Sequence, residues 1–171
     1  MKDFEPHFCK GKHTNIALVF SAPGRVEEEN GKPVSGMTGK NLRAVLTLLR
    51  DKNELFKKYN DLYEFRITNA VSTVEYNSKT GRSEAGTTEI KDVKNIQRLE
   101  QELKDIKDYI IFFGNKAQLA IKEIDLNNLQ QDVKIITSRH LSPLSLNRIR
   151  GMKTPEERIN FIVNNIIEQT K

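Results

Sequence analysis

The sequence predicts an α/β fold, a three-layer α/β/α sandwich around a central, mainly parallel four-stranded sheet. Four short apolar runs have the length and composition of buried strands, and amphipathic helical patterns separate them. Strands that alternate with helices form βαβ units, which place helices on both faces of a parallel sheet. With 171 residues, 37% of them hydrophobic, the chain is predicted to form a single domain over residues 1–171.

Each strand is predicted from an apolar run that is too short for an ordinary helix. The four runs are residues 16–20, 65–71, 109–113 and 133–137. Helices are predicted where apolar residues recur every three or four positions, at 40–50, 96–106, 116–124 and 155–168. The last helix has the clearest start, because Thr154 can cap it, Pro155 follows, and Glu157 stands three residues after the cap. The polar segment 76–89 has no apolar periodicity, so we predict a long mobile loop there.

Composition narrows the classes of function. The net charge of +5 permits a polyanionic partner and gives a weak indication of nucleic acid. Cys9 is the only cysteine, which excludes an intrachain disulfide and a cysteine-built iron–sulfur site. His7, Cys9 and His13 fit no standard metal spacing, so neither a metal site nor a cofactor is expected. The sequence has no apolar run of membrane-spanning length and no signal-peptide core, so a cytoplasmic protein without membrane contact is expected.

Ligands of parallel α/β sheets bind beyond the carboxyl ends of the strands, so the segments that follow the strands are the candidate site. Residues 21–42, SAPGRVEEENGKPVSGMTGKNL, follow the first strand and contain four glycines, two prolines and three consecutive glutamates. Connections between packed elements are usually short, and a long loop rich in glycine and proline is more often a binding loop.

Four of these segments, taken in order, resemble motifs of the uracil-DNA glycosylase superfamily. The resemblance covers roughly residues 15–150. The first segment is similar to the opening motif of the superfamily's thermostable iron–sulfur branch, and the others are similar to its base-reading asparagine, its strand-to-helix turn and its His-Pro-Ser-Pro-Leu-Ser signature. The matching residues are Ala22-Pro23-Gly24, Glu27, Gly31, Pro33-Val34 and Gly36-Met37-Thr38-Gly39; Asn69; Phe113-Gly114-Asn115-Lys116-Ala117; and His140-Leu141-Ser142-Pro143-Leu144-Ser145.

The resemblance implies a monofunctional DNA glycosylase, which flips a nucleotide out of DNA and hydrolyses its N-glycosidic bond. His140 would stabilise the departing base, Asn69 would read its edge, and Leu144 would fill the vacated base stack. Ala22, Gly24 and Val34 would line the sugar and base pocket. The remaining predicted contacts are with DNA phosphates: Ser142, Ser145, Gly36, Arg139, Arg148 and Arg150. The expected partner is DNA, and the protein is expected to be a monomer.

Each assignment has a structural alternative. Taken alone, His140 could be structural, Asn69 could cap a turn, and Leu144 could be a buried loop anchor. The glutamates at 27–29 could form a solvated acidic corner.

Two departures from the family pattern bear on chemistry and substrate. Ser21 stands where most of the family has aspartate, glutamate or asparagine, and a hydroxyl cannot act as a carboxylate base. Glu27, Glu28 or Glu29 could instead orient the attacking water, and Glu27 is the first candidate among them only if it lacks the structural role that its family position suggests. Val34 replaces a phenylalanine that stacks on uracil.

These departures favour a modified or damaged base over plain uracil. They also leave open a DNA-binding member without turnover, and a weaker third hypothesis is a protein-interaction role. The target base, the strand preference, and the choice between repair and phage defence stay open.

Overall fold

The computed structural model describes residues 3–171 and shows an α/β fold built on one central sheet. Within those residues the sheet has six strands, β1 (Phe4–Glu5), β2 (Phe8–Cys9), β3 (Ile16–Phe20), β4 (Arg66–Asn69), β5 (Tyr109–Phe113) and β6 (Lys134–Ser138). Their order across the sheet is β1-β2-β4-β3-β5-β6. The last four strands in this order are mutually parallel, and β1 and β2 join antiparallel at one edge.

The predicted fold class is confirmed, but the predicted number of strands is too low. The four parallel strands coincide with the four predicted apolar runs within a few residues. The missed strands β1 and β2 have two residues each, which is too short for a period of two to show in the sequence.

Helices pack on both faces of the sheet. They are α1 (Arg25–Asn30), α2 (Met37–Lys52), α3 (Asn77–Thr80), α4 (Thr87–Lys91), α5 (Val93–Leu103), α6 (Asn115–Leu119), α7 (Pro143–Asn147) and α8 (Pro155–Thr170). None of the helices within residues 3–171 is long and apolar enough to cross a membrane.

The alternation of side chains along β3 and β5 divides the core into two clusters. Leu18 and Phe113 belong to the cluster that includes apolar residues of α2 and α8. Val19 and Phe112, one position away, belong to the cluster that includes residues of α5 and α6. Successive residues of a strand face opposite sides, so these fully apolar strands need a helical layer on each side.

Helix ends differ from their predicted positions where a cap decides them. Helix α2 begins at Met37 rather than residue 40, directly after the extended Gly36. Helix α5 begins at Val93 rather than 96, because the Asp92 side chain accepts hydrogen bonds from two backbone amides of its first turn. The predicted helix 116–124 is divided into α6 and a 3₁₀ turn at Ala120–Lys122. The capping box of Thr154 and Glu157 at the start of α8 is confirmed.

The segment 76–89, predicted to be a long loop, contains α3 and the start of α4. It is held by polar contacts around Glu75, which is only 2% exposed. The carboxylate of Glu75 accepts hydrogen bonds from Thr80 and Arg82, and Arg82 also pairs with Glu89. Apolar periodicity cannot reveal a segment that is organised by hydrogen bonds, which is why the prediction of an unstructured loop is wrong.

Candidate active site

A cleft of about 790 Å³ opens at the carboxyl ends of β3, β5 and β6. It brings together seven of the predicted site residues: Ser21, Arg139, His140, Ser142, Leu144, Ser145 and Arg148. The strand-to-helix turn after β5 contributes Gly114, Asn115 and Lys116. The remaining predicted residues do not line the cleft: Ala22, Gly24, Glu27, Val34, Gly36 and Asn69.

His140 follows β6 and is held in one orientation. Its Nδ1 accepts a hydrogen bond from the backbone N–H of Ser142 at 3.1 Å, and its ring meets the ring of Phe20 edge to face at 6.4 Å. Burial lowers the pKa of His140 from its usual value, although the charge of Glu84 raises it in part. His140 is therefore neutral at pH 7. Because Nδ1 is an acceptor, the ring proton resides on Nε2, which is a hydrogen-bond donor.

Gly114 allows the close approach of His140. Gly114 has φ +89°, and a Cβ atom at this position would lie 2.9 Å from the Cβ of His140. Any other residue at position 114 would be strained by this φ angle, and its Cβ would also clash with His140. The glycine of the turn is therefore part of what positions His140.

Leu144 lies on the first turn of α7 and is 63% exposed. The hydroxyl of Ser142 caps this helix by accepting the backbone N–H of Ser145 at 3.3 Å. The buried anchor of the loop is Leu141, which is fully buried and whose carbonyl accepts a hydrogen bond from Asn41 at 2.8 Å. An exposed Leu144 beside a buried Leu141 favours the predicted wedge over the alternative of a buried anchor.

Asn69 ends β4 and pairs in register with Phe20 of β3. The residue is 3% exposed, and its side-chain amide makes no hydrogen bond within residues 3–171. It therefore does not cap a turn among the described residues. Its amide keeps both a donor and an acceptor, which is what reading a base edge requires.

A buried polar network supports β4 from the side of α5. Arg98 donates to the carbonyl of Asn69 at 2.9 Å and to the carboxylate of Glu102 at 2.6 Å. Glu102 also accepts from Thr68 at 2.5 Å and lies 3.4 Å from a ring nitrogen of His7. Burial acts to raise the pKa of Glu102, but His7, Arg98 and Thr68 together lower it below its usual value. This ionised carboxylate and Arg98 fix the end of β4, and with it Asn69.

The carboxylate of Glu27 braces the first loop, which corrects its predicted catalytic role. One oxygen accepts the N–H of Gly24 at 3.0 Å, and the other accepts those of Ser35 at 3.0 Å and Gly36 at 3.2 Å. Glu27 does not line the cleft, and three backbone amides engage its carboxylate, so it is not placed to activate a water there. The same bonds occupy the amide of Gly36, which therefore is not the predicted free phosphate contact, and that of Gly24, one of the residues predicted to line the sugar and base pocket.

The other two glutamates of the loop are also engaged away from the cleft. Glu28 accepts hydrogen bonds from Tyr76 and Lys79, and the Lys79 contact, followed by that of Tyr76, lowers its pKa. Glu29 pairs with Arg25 at 2.8 Å. Neither residue lines the cleft, so the loop glutamates do not replace the missing acidic residue.

Val34 does not form a wall of the cleft, contrary to the prediction. Its side chain is 6% exposed and belongs to the same buried cluster as Phe20 and Leu141. Its φ of 43° is unusual for a β-branched residue. The carbonyl of Val34 lies 1.6 Å from where a Cβ of Gly39 would be, so only glycine fits at position 39. Ala22 is half-buried at the start of the loop.

Ser21 is 6% exposed and its hydroxyl is already engaged. The Ser21 Oγ accepts the backbone N–H of Ala85 at 3.2 Å, which fixes the segment 76–89 against the end of β3. This contact brings Glu84 to the cleft. Sequence reasoning missed Glu84, because a lone glutamate in a polar segment carries no spacing signal.

The rim of the cleft is basic. Arg139 and Arg148 line it, are exposed, and form no ion pair within the described part of the chain, residues 3–171. Arg150 is also exposed but does not line the cleft. Cations without protein partners beside an exposed wedge are suited to contact phosphates.

The weak metal motif at the N-terminus has other contacts. His7 lies 3.5 Å from Glu5, the thiol of Cys9 donates to the carbonyl of Tyr63, and the ring of His13 packs edge to face on Tyr59. Among residues 3–171, no group of three or more His, Cys, Asp or Glu side chains is arranged to hold a metal ion.

Comparison with known proteins identifies the family. No curated protein sequence matches the chain. The family model of the uracil DNA glycosylase superfamily matches residues 6–163, which is most of the chain and includes the segments after β3, β5 and β6 that meet at the cleft. The chain therefore belongs to the uracil DNA glycosylase superfamily.

Proposed function

We propose that the protein is a monofunctional DNA glycosylase that hydrolyses the N-glycosidic bond of a flipped, modified or damaged base and leaves an abasic site. Proteins of this superfamily are generally DNA glycosylases. The observation that carries the proposal is the oriented, neutral His140, whose Nε2–H is available at the cleft.

The chemistry needs a donor of this kind. Cleavage of the bond between sugar and base puts positive charge on the sugar and negative charge on the departing base. A neutral imidazole that donates from Nε2 stabilises an anion that exists only near the transition state, so it accelerates the reaction rather than only binding the substrate. A fixed donor also costs no reorganisation during the reaction.

The surface around the cleft supports DNA as the partner. Arg139 and Arg148 would contact phosphates on either side of the flipped nucleotide, and Leu144 would occupy the gap in the base stack. Asn69 does not line the cleft, but it pairs in register with Phe20, whose ring contacts His140, and its amide is unengaged within residues 3–171. It would select, by its hydrogen-bonding edge, a base that enters deeply enough to reach it. The protein would act as a monomer without a metal or cofactor, so excision should persist in excess chelator.

The proposed substrate is a modified base rather than plain uracil. Val34 replaces the stacking phenylalanine and is itself buried in the core, so the first loop places no aromatic ring over the base. A bulkier base, or one that departs more readily, needs less stacking and less help from the enzyme. Excision would serve repair if the base is a lesion, and defence if it is a modification of foreign DNA.

A second candidate is a DNA-binding member of the superfamily with weak or no turnover. The buried hydroxyl of Ser21 favours it, because the position that is acidic or amide in most of the family has no carboxylate here.

One experiment separates these candidates. Oligonucleotides that each carry one uracil, deaminated purine, oxidised pyrimidine or bulky cytosine derivative are incubated with the protein and then with alkali. The glycosylase proposal predicts strand cleavage at one or more modified bases after alkali and no borohydride-trapped adduct, with loss of cleavage in His140→Ala. Binding without cleavage across the panel would support the second candidate and contradict the first.

A further inference from the structure

Position 21 raises the question of which group acts on the attacking water. The hydroxyl of Ser21 accepts the backbone N–H of Ala85 at 3.2 Å, and Ser21 is 6% exposed. This side chain anchors another segment and has no acidic function. The three loop glutamates at positions 27–29 are engaged by backbone amides, Tyr76, Lys79 and Arg25.

Glu84 lies where such a group is needed. It lines the same cleft as Ser21 and His140, and it directly precedes the residue that is bonded to the Ser21 hydroxyl. Its charge reaches the imidazole, because it raises the pKa of His140 against the larger lowering by burial. Glu84 is exposed and lines the cleft one residue before the one that bonds the Ser21 hydroxyl.

The segment that carries Glu84 is fixed on both sides of it. Ala85 is 2% exposed, and on the other side Arg82 pairs with the buried Glu75 at 2.6 Å. The backbone N–H of Glu75 also donates to the carbonyl of Pro23 in the first loop at 2.8 Å. A carboxylate carried by a segment braced in this way is held at the cleft at a lower entropic cost than one on a free loop.

We propose that Glu84 is the catalytic carboxylate of this site and supplies the function that Ser21 cannot. The inference rests on the proposed glycosylase function. The oxygen of a water bonds to C1′ of the sugar as the bond between C1′ and the base nitrogen breaks, and the electron pair of that bond leaves with the base. The water proton passes to a carboxylate oxygen of Glu84, while the Nε2–H of His140 donates a hydrogen bond to the anionic base and keeps its proton. The base then takes a proton from solvent and Glu84 releases its own.

The charge of Glu84 distinguishes this role from that of an ordinary surface residue. A carboxylate in the same cleft as Arg139 and Arg148 repels phosphate and weakens DNA binding. In a cleft that only binds DNA, the negative charge of Glu84 would lower the affinity without any benefit. A cleft that hydrolyses a glycosidic bond gains both a base for water and a negative charge near the sugar cation.

The test compares wild type, Glu84→Gln and Glu84→Asp on the base that wild type excises fastest from the oligonucleotide panel. Glu84→Gln should lower the single-turnover rate about 100-fold and leave DNA affinity equal or tighter, since general base catalysis contributes on this order. Glu84→Asp, which keeps the carboxylate, should give an intermediate rate. The matched control is Glu54→Gln, the same change of charge at an 84% exposed side chain paired with Lys57, and its rate should equal that of wild type.

A second readout does not depend on turnover. The His140 imidazole is titrated by NMR, and Glu84→Gln should lower its pKa because the nearby negative charge is removed. A full rate in Glu84→Gln on a base that wild type excises would overturn the role of Glu84 and leave the glycosylase proposal standing. If wild type excises no base on the panel, the glycosylase proposal fails and the role of Glu84 fails with it.

Discussion

At the scale of single residues, the site depends on which polar groups remain free after folding. Within residues 3–171, His140 has one nitrogen bound by the backbone of Ser142 and the other available, and the side-chain amide of Asn69 makes no hydrogen bond. Glu27 resembles a catalytic carboxylate in the sequence, yet three backbone amides engage it. Residue type identifies the candidate site residues, and the hydrogen bonds that each side chain makes in the fold show which of them remain free to act on a substrate.

The pH dependence of excision should follow the protonation of His140. Burial lowers its pKa below the usual value of 6.5, so the ring becomes protonated at more acidic pH than an ordinary histidine. A protonated ring donates from Nδ1 as well and loses the bond from Ser142. We expect the single-turnover rate to be level near neutral pH and to fall as the pH drops through this lowered pKa. A rate that rises steadily towards acid would contradict the neutral donor.

Gly114→Ala should lower the excision rate through His140. The added Cβ would lie 2.9 Å from the Cβ of His140 and would displace the ring. Gly151→Ala is the matched control, because Gly151 has a similar φ of +80° with nothing within 4 Å. Both variants carry backbone strain of about 1–3 kcal/mol, visible in denaturant melts, and the backbone of Gly114 at φ 89° and ψ 156° lies in a region that is essentially restricted to glycine. Only Gly114→Ala should lose rate by ~10-fold or more, and equal rates in the two variants would show that the contact does not matter.

Leu144→Ala should affect duplex DNA more than single-stranded DNA. Truncation of this 63% exposed side chain removes the group that would fill the vacated stack, and only a duplex has a stack to refill. Single-turnover rates on matched duplex and single-stranded substrates measure the difference. Equal losses on the two substrates would remove Leu144 from the wedge role.

At the scale of elements, the first loop is held by Glu27 and by a close backbone contact. Glu27 joins the start of α1 to the start of α2, and the carbonyl of Val34 packs directly against Gly39. The length and glycine content of the loop thus allow these contacts within the loop itself. Only its first residue, Ser21, lines the cleft.

Glu27→Gln should destabilise the fold, because a neutral amide has one acceptor oxygen for three backbone donors. We expect a loss of about 1–3 kcal/mol in the free energy of unfolding, the range for hydrogen bonds to a charged group. Glu29→Gln, on the same helix and paired only with Arg25, should lose less than about 0.5 kcal/mol. Urea denaturation of the two variants measures both values, and equal stabilities would contradict the bracing role.

The sequence predicts well those helices and strands that are defined by a capping signal or by an unbroken apolar run. The start of α8 is confirmed because Thr154, Pro155 and Glu157 form a local signal, and the four parallel strands follow from unbroken apolar runs. The segment 76–89 was beyond this reasoning, because Glu75 becomes a buried anchor only through partners that fold against it.

At the scale of the whole molecule, the parallel sheet gathers residues that are far apart in the sequence. Ser21 follows β3, Gly114 follows β5 and His140 follows β6, and all three meet at one edge. This convergence could be predicted from strand order alone. The presence of Glu84 in the cleft could not be predicted in this way, and neither could the positions of Glu27 and Val34 outside it. These positions depend on contacts between loops.

The measurement that most directly tests the central claim is single-turnover excision by wild type and His140→Ala across uracil and the modified bases in otherwise identical DNA. The account predicts that wild type excises a modified base faster than uracil. It also predicts that His140→Ala loses about 100-fold or more of that rate with little change in DNA affinity. Uracil excised faster than every modified base would contradict the proposed substrate, and an unchanged rate in His140→Ala would contradict the proposed chemistry.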